Sequence, residues 1–464
     1  MDDDEIVDKC HNISPIDGRY YKKVSKFSYY FSEAGLMYYR CKVEIEYLIN
    51  LIKFLKLDIT FNNNTQYSFE QKLRNIYTTF DDESILAIKK IEAETNHDVK
   101  AVEIYLRHKL TDYKMEHLLE YIHFGLTSQD VNSTSYVLSM KQASETVILP
   151  ELTILKLQII EKCKQWGNIA MITKTHGQPA SPSVLGKEMY VFVDRLNKQM
   201  NTLINYQYTT KFGGAIGNFN SHQVAFPNSD WIKFGNDFIE SMELKRNQFT
   251  TQIDIYDNYA ELFDNLKRIS TILIDFARDI WIYISNNYLV QKCVKEEVGS
   301  STMPHKINPI NFENAEGNLM LAINMLEFLS RKLPISRLQR DLTDSTVLRN
   351  IGMVFSYLLI GIKSLQNGLK TIDANVPLIQ QELRGNEIVL AEAVQSILRR
   401  EGIPNSYNMI KDLSRNNQLF SINFVVEKLQ QYECIKNHSN KDKIIKEISD
   451  LRVEKYIGVM PAIY

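Results

Sequence analysis

The sequence predicts an all-α protein, in which a long and nearly parallel helical bundle has smaller helical domains at either end. Apolar residues recur at spacings of three and four over long stretches, while strand-like alternation is scarce. The clearest stripe runs from Leu262 to Ile280, with charged residues on the opposite face. The stretch 351–365 is apolar nearly all round, as expected of a helix buried inside a bundle. We therefore expect three domains, over residues 1–117, 118–370 and 371–464.

Further helical patterns cover the rest of the chain in order. Periodic stretches lie at about 31–55, 99–106, 135–166, 185–206 and 312–329, so helices are expected there. After Asp373 the pattern shortens into brief helices, which are broken at Gly385, Gly402 and Pro404. No chemically distinctive group of residues stands out in that last part.

Composition excludes several classes of protein. The chain of 464 residues has 54 Lys and Arg against 56 Asp and Glu, so no global field favours nucleic acid or an anionic membrane. The five cysteines are far apart and lack CxxC spacing, which argues against a disulfide framework or structural zinc and fits a reducing compartment. Charges interrupt the most apolar stretches, and the acidic first residues lack the apolar core of a leader peptide. We expect a soluble cytoplasmic protein.

The segment Gly299–Pro309 stands out between two long helical patterns. It has no apolar periodicity, and it carries two hydroxyls, an imidazole, an ammonium and an amide. These groups belong to Ser300, Ser301, His305, Lys306 and Asn308. A solvated connection between helices needs far fewer donors, so we favour a functional site here.

Two predicted helix starts carry further polar groups. Asn96 or Asp98 is expected to cap the helix that follows, so that His97 lies at a helix N-terminus, where the dipole disfavours its charged form. Thr127 or Ser128 is expected to cap the next helix, whose free N–H groups would bind a carboxylate or a phosphate. A purely structural role in capping explains these residues equally well.

His176 lies in a segment where the helical pattern stops sharply. Gly177, Pro179 and Pro182 predict an irregular backbone, so His176 should project from a loop. Because imidazole ordinarily titrates near neutrality, a loop histidine between two long helices is a candidate acid or base. The alternative is a buried, hydrogen-bonded histidine with a structural role.

Arginines at both ends of the chain are candidates for holding an anion. Arg19 precedes Tyr20 in a turn-rich segment, where a surface turn is the alternative. Arg337, Arg340 and Arg349 surround a predicted helix start at Asp344 or Ser345, and salt bridges to Asp341 and Asp344 are the alternative to an anion site.

Two further segments give weaker signals. The glycine-rich segment 212–218 lacks the GxGxxG spacing, so we expect close backbone approach to another chain or a ligand rather than a dinucleotide site. Gln252 offers a neutral donor and acceptor, which by itself says little.

The pattern Gly-Ser-Ser-x-Met-Pro-x-Lys-x-Asn-Pro, met in full by Gly299–Pro309, resembles the loop of the fumarase/aspartase superfamily of lyases. Five other segments resemble the bacterial-type branch of that superfamily that acts on adenylosuccinate: Ser14–Tyr20, Thr95–Glu103, Thr127–Asp130, Thr173–Ser183 and Arg340–Asn350. The resemblance implies β-elimination of fumarate from adenylosuccinate to give AMP, and from the succinyl-carboxamide ribotide of purine synthesis, without a metal or organic cofactor. It also implies a homotetramer whose central helices form one multi-helix core, with each active site shared between three subunits.

The resemblance further implies a role for each matching residue. His176 would be the general acid, Glu313 would orient it, and Ser300 would be the base. An alcohol is a poor base near neutral pH, so Ser300 would need a cation such as Lys306 and a closed, water-free loop. The succinyl carboxylates would be held by Thr127, Ser128, Ser301, Lys306 and Asn308. The nucleotide would face Arg19, Tyr20, Arg340, Ser345 and Arg349, and the remaining contacts would be Asn96, His97, Asp98, Gln252 and Asn314.

One departure and two alternatives remain. Gln129 stands where the family usually has Glu, which removes one charge and would change a nearby pKa without abolishing activity. A sibling lyase acting on argininosuccinate or aspartate would share the loop but lack the arginines for a phosphate. A structural or binding protein on the same fold would keep the bundle and lose the chemistry of His176 or Ser300.

Overall fold

The computed structural model describes residues 10–57, 68–292, 303, 305–415 and 420–462, and most of them are helical. The longest uninterrupted α-helices are Glu33–Leu55, Leu185–Ile204, Asp257–Ser285, Ile310–Lys332 and Ile351–Thr371. The chain is also helical from Ser128 to Gln165, where a π-helical turn at Ser144–Ile148 joins Ser128–Ala143 to Leu149–Gln165. The all-α prediction is therefore confirmed, and each stretch with a clear periodic pattern is a helix.

Shorter elements complete the described part of the chain. The shorter α-helices are Tyr21–Val24, Ser28–Phe31, Phe69–Thr78, Asp82–Thr95, Asp98–Asp112, Asn220–Ala225, Trp231–Ser241, Thr343–Leu348, Val376–Arg384, Ala391–Arg400, Ser406–Arg415, Ile422–Leu429, Glu433–Lys436 and Lys441–Ser449. Turns of 3-10 helix lie at Ser25–Phe27, Glu116–Tyr121, Glu387–Leu390 and Val453–Lys455. The strands pair in twos: Ala170–Thr175 with Gln178–Val184, Thr209–Lys211 with Lys245–Asn247, and Leu289–Gln291 with Ile372–Ala374. The brief helices expected after Asp373 are present.

The chain divides into two compact units, each made of three segments. The first unit comprises Met1–Leu152, Gln199–Thr271 and Gly317–Lys363, and the second comprises Thr153–Lys198, Ile272–Glu316 and Ser364–Tyr464. The division into three domains along the sequence stays a prediction.

The first unit has a core between the helices Glu33–Leu55 and Asp98–Asp112. The first helix contributes apolar side chains at spacings of three and four, and the second does the same, so their buried faces match. Each fully buried aliphatic side chain contributes about 1.5–3 kcal/mol of hydrophobic stabilisation. The core side chains from these helices are Met37, Cys41, Ile45, Leu48, Ile49, Ile52, Ala101, Val102, Tyr105, Leu106 and Leu110.

The second unit contains a β-hairpin that the sequence did not predict. Ala170–Thr175 pairs antiparallel with Gln178–Val184, and the connecting residues His176 and Gly177 both have positive φ, at 53° and 74°. Two central residues of this kind make a type I′ turn, whose twist suits a two-residue hairpin. Pro179 and Pro182 fit because a strand in a two-stranded sheet has one free edge. The loop expected around His176 is therefore the turn of a β-hairpin, whose register shifts once, between Met171 and Thr173.

Within the described part of the chain, one helical run has the length and composition of a membrane span. It covers Thr343–Thr371, with a mean hydropathy of 1.4 in its most apolar window. Of that window, 61% is buried inside the protein, as in the core helix of a folded domain. This is the stretch that the sequence predicts to be buried in a bundle.

Candidate active site

In the first unit, polar residues from separate parts of the chain line a cavity of about 360 Å³. The lining comes from Arg40, from the helix starts at 98 and 128, and from the segment 340–349. Seven of the predicted substrate-binding residues are part of it: Asn96, His97, Asp98, Ser128, Arg340, Ser345 and Arg349. Folding thus gathers residues that the sequence analysis grouped only through the resemblance.

Arg340 is held at this cavity by two neutral partners. Its Nη1 donates to Gln252 Oε1 at 3.2 Å, and its Nη2 donates to Ser345 Oγ at 3.2 Å. Both acceptors are uncharged, so the guanidinium keeps its full charge for an anionic ligand. Arg337 instead lies 3.5 Å from Asp341, which is the salt bridge considered as the alternative.

Gln129 and Asp344 form the buried wall beside Ser345. The Gln129 amide Nε2 lies 3.4 Å from Asp344 Oδ2, and the Tyr256 hydroxyl donates to the same oxygen at 2.8 Å. Burial raises the pKa of Tyr256 well above its ordinary value, so the phenol stays a donor. An amide at 129 can donate to Asp344, whereas a carboxylate there would need a proton to do so. The helix starts at Thr343, with Leu342 rather than Asp344 or Ser345 at its cap position.

Asp98 is shared by two arginines at the same cavity. Its Oδ2 accepts from Arg40 Nη2 at 2.8 Å and from Arg349 Nη2 at 3.0 Å. Burial raises the pKa of Asp98, but the guanidinium of Arg40 and, less strongly, that of Arg349 outweigh it and hold the pKa at about 2. Asp98 is therefore an anion throughout the physiological range.

His97, and not Asn96 or Asp98, caps the helix that follows. Its Nδ1 accepts from the Lys100 N–H at 3.1 Å, while Asn96 ends the preceding helix in the left-handed conformation with φ at 53°. A ring nitrogen that accepts from a backbone N–H has no proton, so the proton of the neutral ring is on Nε2. His97 is 52% exposed at the side chain, which leaves this Nε2–H within reach of a ligand.

Thr127, which precedes Ser128, is fixed by a buried carboxylate. Thr127 caps the helix as predicted, and its N–H donates to Asp130 Oδ2 at 2.9 Å. Asp130 also binds the Lys211 ammonium at 2.7 Å and accepts from the N–H groups of Gly213 and Gly214. The glycine-rich segment thus approaches a carboxylate of its own chain, where the expectation was another chain or a ligand. Gly214 has φ at +78°, and an added Cβ would lie 3.1 Å from the Gly125 carbonyl oxygen.

Arg19 and Tyr20 lie outside the cavity lining. Arg19 is exposed and makes no hydrogen bond with any residue that the structure describes. The Tyr20 N–H donates to the Pro15 carbonyl at 2.8 Å, and the Lys23 ammonium lies 5.7 Å from the Tyr20 ring centre. The same turn contributes Ile16 and Asp17 to a second cavity of about 210 Å³, which Arg349 also lines.

In the second unit, His176 is exposed at the tip of the hairpin. Its imidazole makes no hydrogen bond with another described residue, so the buried structural histidine considered above is not present. Glu313 is also exposed, and it accepts from the Trp281 indole N–H at 3.1 Å. Between the two side chains, both in the described part of the chain, the structure shows no hydrogen bond. The orienting role of Glu313 stays a prediction.

The segment that leads into the helix Ile310–Lys332 holds the remaining predicted residues. The Lys306 N–H donates to the Met303 carbonyl at 3.0 Å, and the Lys306 side chain is exposed. Asn308 is half-buried, and the Asn314 amide oxygen accepts from the Ser364 hydroxyl at 2.8 Å. Ser300 and Ser301 lie outside the residues that the structure describes, so their predicted roles stay predictions.

Arg40 and Asn132 are cavity residues that the sequence analysis missed. Arg40 Nε donates to Asn132 Oδ1 at 2.8 Å, and the Arg40 side chain is 5% exposed. A signal was present, since Arg40 lies between Met37 and Cys41, two members of the apolar face of this predicted helix. A charged residue on a buried helix face needs a partner, and that requirement points to a polar site.

Comparisons with known proteins agree over most of the chain. A family model described as lyase matches residues 18–323, and one described as adenylosuccinate lyase C-terminal matches residues 336–457. The chain is 48% identical to adenylosuccinate lyase of Dictyostelium discoideum, over 97% of each chain. It is 44% identical to adenylosuccinate lyase of Haemophilus influenzae, over 88% of this chain and 89% of the relative.

Solved structures show the same fold at low sequence identity. A fumarate lyase from Mesorhizobium has a TM-score of 0.73 at 14% identity, covering 94% of this chain and 95% of its own. The 3-carboxy-cis,cis-muconate lactonizing enzyme of Pseudomonas putida has a TM-score of 0.70 at 18% identity, covering 94% of each chain. These similarities bear on the fold alone.

Proposed function

The chain belongs to the adenylosuccinate lyase family, and we propose that it eliminates fumarate from adenylosuccinate to give AMP. The cavity lined by Arg340, Ser345 and Arg349 carries the proposal within the structure, because it offers two guanidinium groups to one anion. The phosphate of a nucleotide fits that charge and donor pattern. The succinyl-carboxamide ribotide carries the same two groups, a phosphate and a succinyl amine, so we propose it as a second substrate.

The chemistry requires a base, an acid and donors for carboxylates. The base removes a proton from the carbon beside a succinyl carboxylate, and the resulting dianion is stabilised by donors aimed at that carboxylate. The C–N bond then breaks, and the purine nitrogen receives a proton from the acid. We propose Ser300 as the base and His176 as the acid, with Ser128, Lys306 and Asn308 among the donors. We further propose that the reaction uses no metal or organic cofactor.

We propose that the protein is a homotetramer with active sites shared between subunits. The exposure of His176 and its lack of a partner in the described part of its own chain support this, because a general acid needs a substrate and an orienting group. Large apolar side chains exposed on the long helices support it too, since copies of the chain would bury them. They include Ile154, Leu157, Trp281, Ile282, Met320, Leu321 and Phe328. We place the enzyme in the cytoplasm, which its free cysteines at 10, 41, 163 and 434 support.

The substrate assay tests the proposed reaction directly. Purified protein should release fumarate from adenylosuccinate, and none from argininosuccinate or aspartate, because only a nucleotide provides the phosphate that Arg340 and Arg349 would bind. The products are followed by ultraviolet absorbance and identified by chromatography. Release from argininosuccinate alone would establish a sibling lyase, and no release from any substrate would favour a structural protein on this fold.

Mixing two inactive variants tests the shared site. His176→Ala and Ser300→Ala tetramers should each be inactive, and subunit exchange between them should restore part of the activity, because some mixed sites would contain both intact residues. Exchange is verified by native mass spectrometry with one variant isotope-labelled. Verified exchange without any recovery of activity would contradict a site built from more than one subunit.

A further inference from the structure

Arg40 is a buried cation that none of the proposed roles uses. It lies on the helix Glu33–Leu55, and its side chain is 5% exposed. Its guanidinium is held from two directions, since Nε donates to Asn132 and Nη2 donates to Asp98, each at 2.8 Å. These two hydrogen bonds fix the orientation of the Arg40 guanidinium. Its charge therefore lies against one carboxylate oxygen, Asp98 Oδ2.

Arg349 binds that same oxygen from a more exposed position. Its Nη2 lies 3.0 Å from Asp98 Oδ2, and its side chain is 55% exposed. Among the residues that the structure describes, Asp98 is the one hydrogen-bond partner of its guanidinium, so the other guanidinium N–H groups are free for a ligand. The Asp98 Oδ1 accepts from the Val99 N–H at 2.9 Å, which fixes the carboxylate at the helix start.

We propose that Arg40 is a positioning residue, which neutralises Asp98 and so keeps Arg349 available for the phosphate of the nucleotide. The inference rests on the function proposed above. The three side chains together carry one net positive charge; all three line the cavity, and Arg349 is the most exposed of them, with free donors. Because the Arg40 side chain is almost fully buried, and Asn132 and Asp98 occupy its Nε and Nη2, it acts through Asp98 and Arg349.

Removing Arg40 would leave Asp98 with one of its two arginine partners. The carboxylate is 25% exposed and strongly favours a cation nearby. Arg349 is then the remaining guanidinium within reach, and Asp98 would bind it as a closed ion pair. The net charge of the group would fall to zero, and a phosphate would have to compete with Asp98 for Arg349. The affinity for a ligand without a phosphate should change little.

The test compares AMP with adenosine, using the full chain and titration calorimetry at fixed ionic strength. Arg40→Met should weaken AMP binding at least about tenfold, the loss expected for one charge-assisted hydrogen bond, and adenosine binding less than about threefold. Arg40→Lys keeps the charge and should bind AMP within about threefold of wild type. Arg74→Met is the matched control, because Arg74 forms a two-bond ion pair with Glu46 but does not line the cavity; it should leave AMP binding unchanged.

The Asp98→Asn background separates this mechanism from general damage to the fold. With no carboxylate to capture Arg349, adding Arg40→Met should cost less than about threefold in AMP affinity. The comparison of Asp98→Asn with the double variant Asp98→Asn, Arg40→Met also tests the inference if Arg40→Met alone does not fold. Any of three results would overturn the inference. They are equal losses of affinity for AMP and adenosine in Arg40→Met, unchanged AMP binding in Arg40→Met, and a tenfold loss of AMP affinity when Arg40→Met is added to Asp98→Asn. A wild-type chain that binds no AMP would instead contradict the proposed function, and the inference with it.

Discussion

Replacing His176 should lower the turnover number with adenylosuccinate at least about a hundredfold, the loss expected when a general acid is removed. His176 is exposed at the hairpin tip and makes no hydrogen bond within the described residues, so its replacement removes an imidazole without opening a cavity in a core. Its φ of 53° matters for the choice of variant. Alanine is strained in that conformation, whereas asparagine tolerates it and suits a type I′ turn.

His176→Asn is therefore the cleaner variant, and His176→Ala is its companion. Both should lose turnover alike if the imidazole is what matters, while AMP binding stays within about threefold because His176 is not among the residues lining the cavity proposed to bind the nucleotide. His108→Ala is the matched control, since His108 is another exposed histidine outside that cavity, and it should keep full turnover. If His176→Asn retained wild-type turnover and His176→Ala did not, turn strain rather than lost acid catalysis would be the cause.

The long helices were predictable because their buried apolar residues recur along the sequence at spacings of three and four. The stripe from Leu262 to Ile280 is a case in point, since its members Leu266, Ile269 and Leu273 are all 0% exposed in the structure. When a helix packs along its length on one face, apolar residues recur in its sequence at the helical period of about 3.6 residues. The resemblance then supplied the candidate residues, and the fold gathers seven of them at one cavity.

The hairpin at His176 was not predictable in the same way. The first strand reads Ala-Met-Ile-Thr-Lys-Thr and the second Gln-Pro-Ala-Ser-Pro-Ser-Val, so neither strand shows an apolar alternation. The positive φ at His176 and Gly177 is the signal for a two-residue turn, but His-Gly is a weaker signal than Asn-Gly or Asp-Gly. The pairing depends on the register between the strands, which composition alone does not specify.

The ion-pair partners of buried charged residues were also not predictable from the sequence. Arg40 meets Asp98 across 58 positions, and Lys211 meets Asp130 across 81 positions. Helical periodicity shows which face of a helix is buried, but it does not show which distant carboxylate faces a buried cation. Such pairs belong to the tertiary fold, and here they hold residues predicted to bind the substrate.

Replacing Lys211 by methionine should lower the free energy of unfolding by about 3–5 kcal/mol, since it leaves one partner of a buried ion pair alone. Lys211 and Asp130 are both 0% exposed at the side chain and lie 2.7 Å apart. The Lys211 ammonium also donates to the Gly214 carbonyl at 2.6 Å, so the change leaves that acceptor short of a partner as well. Thermal unfolding followed by circular dichroism measures the loss.

The effect should extend to the proposed substrate site, because Asp130 accepts from the Thr127 N–H at the start of the helix that carries Ser128. An uncompensated Asp130 would loosen that turn, so kcat/KM should fall together with stability.

The double variant Lys211→Met, Asp130→Asn removes both charges and keeps an oxygen for the Gly213 N–H, so it should regain more than half of the lost stability. Lys233→Met breaks an exposed ion pair with Asp237 and should cost roughly 0.5 kcal/mol or less. Equal and small losses for Lys211→Met and Lys233→Met would show that the buried pair does not hold this turn.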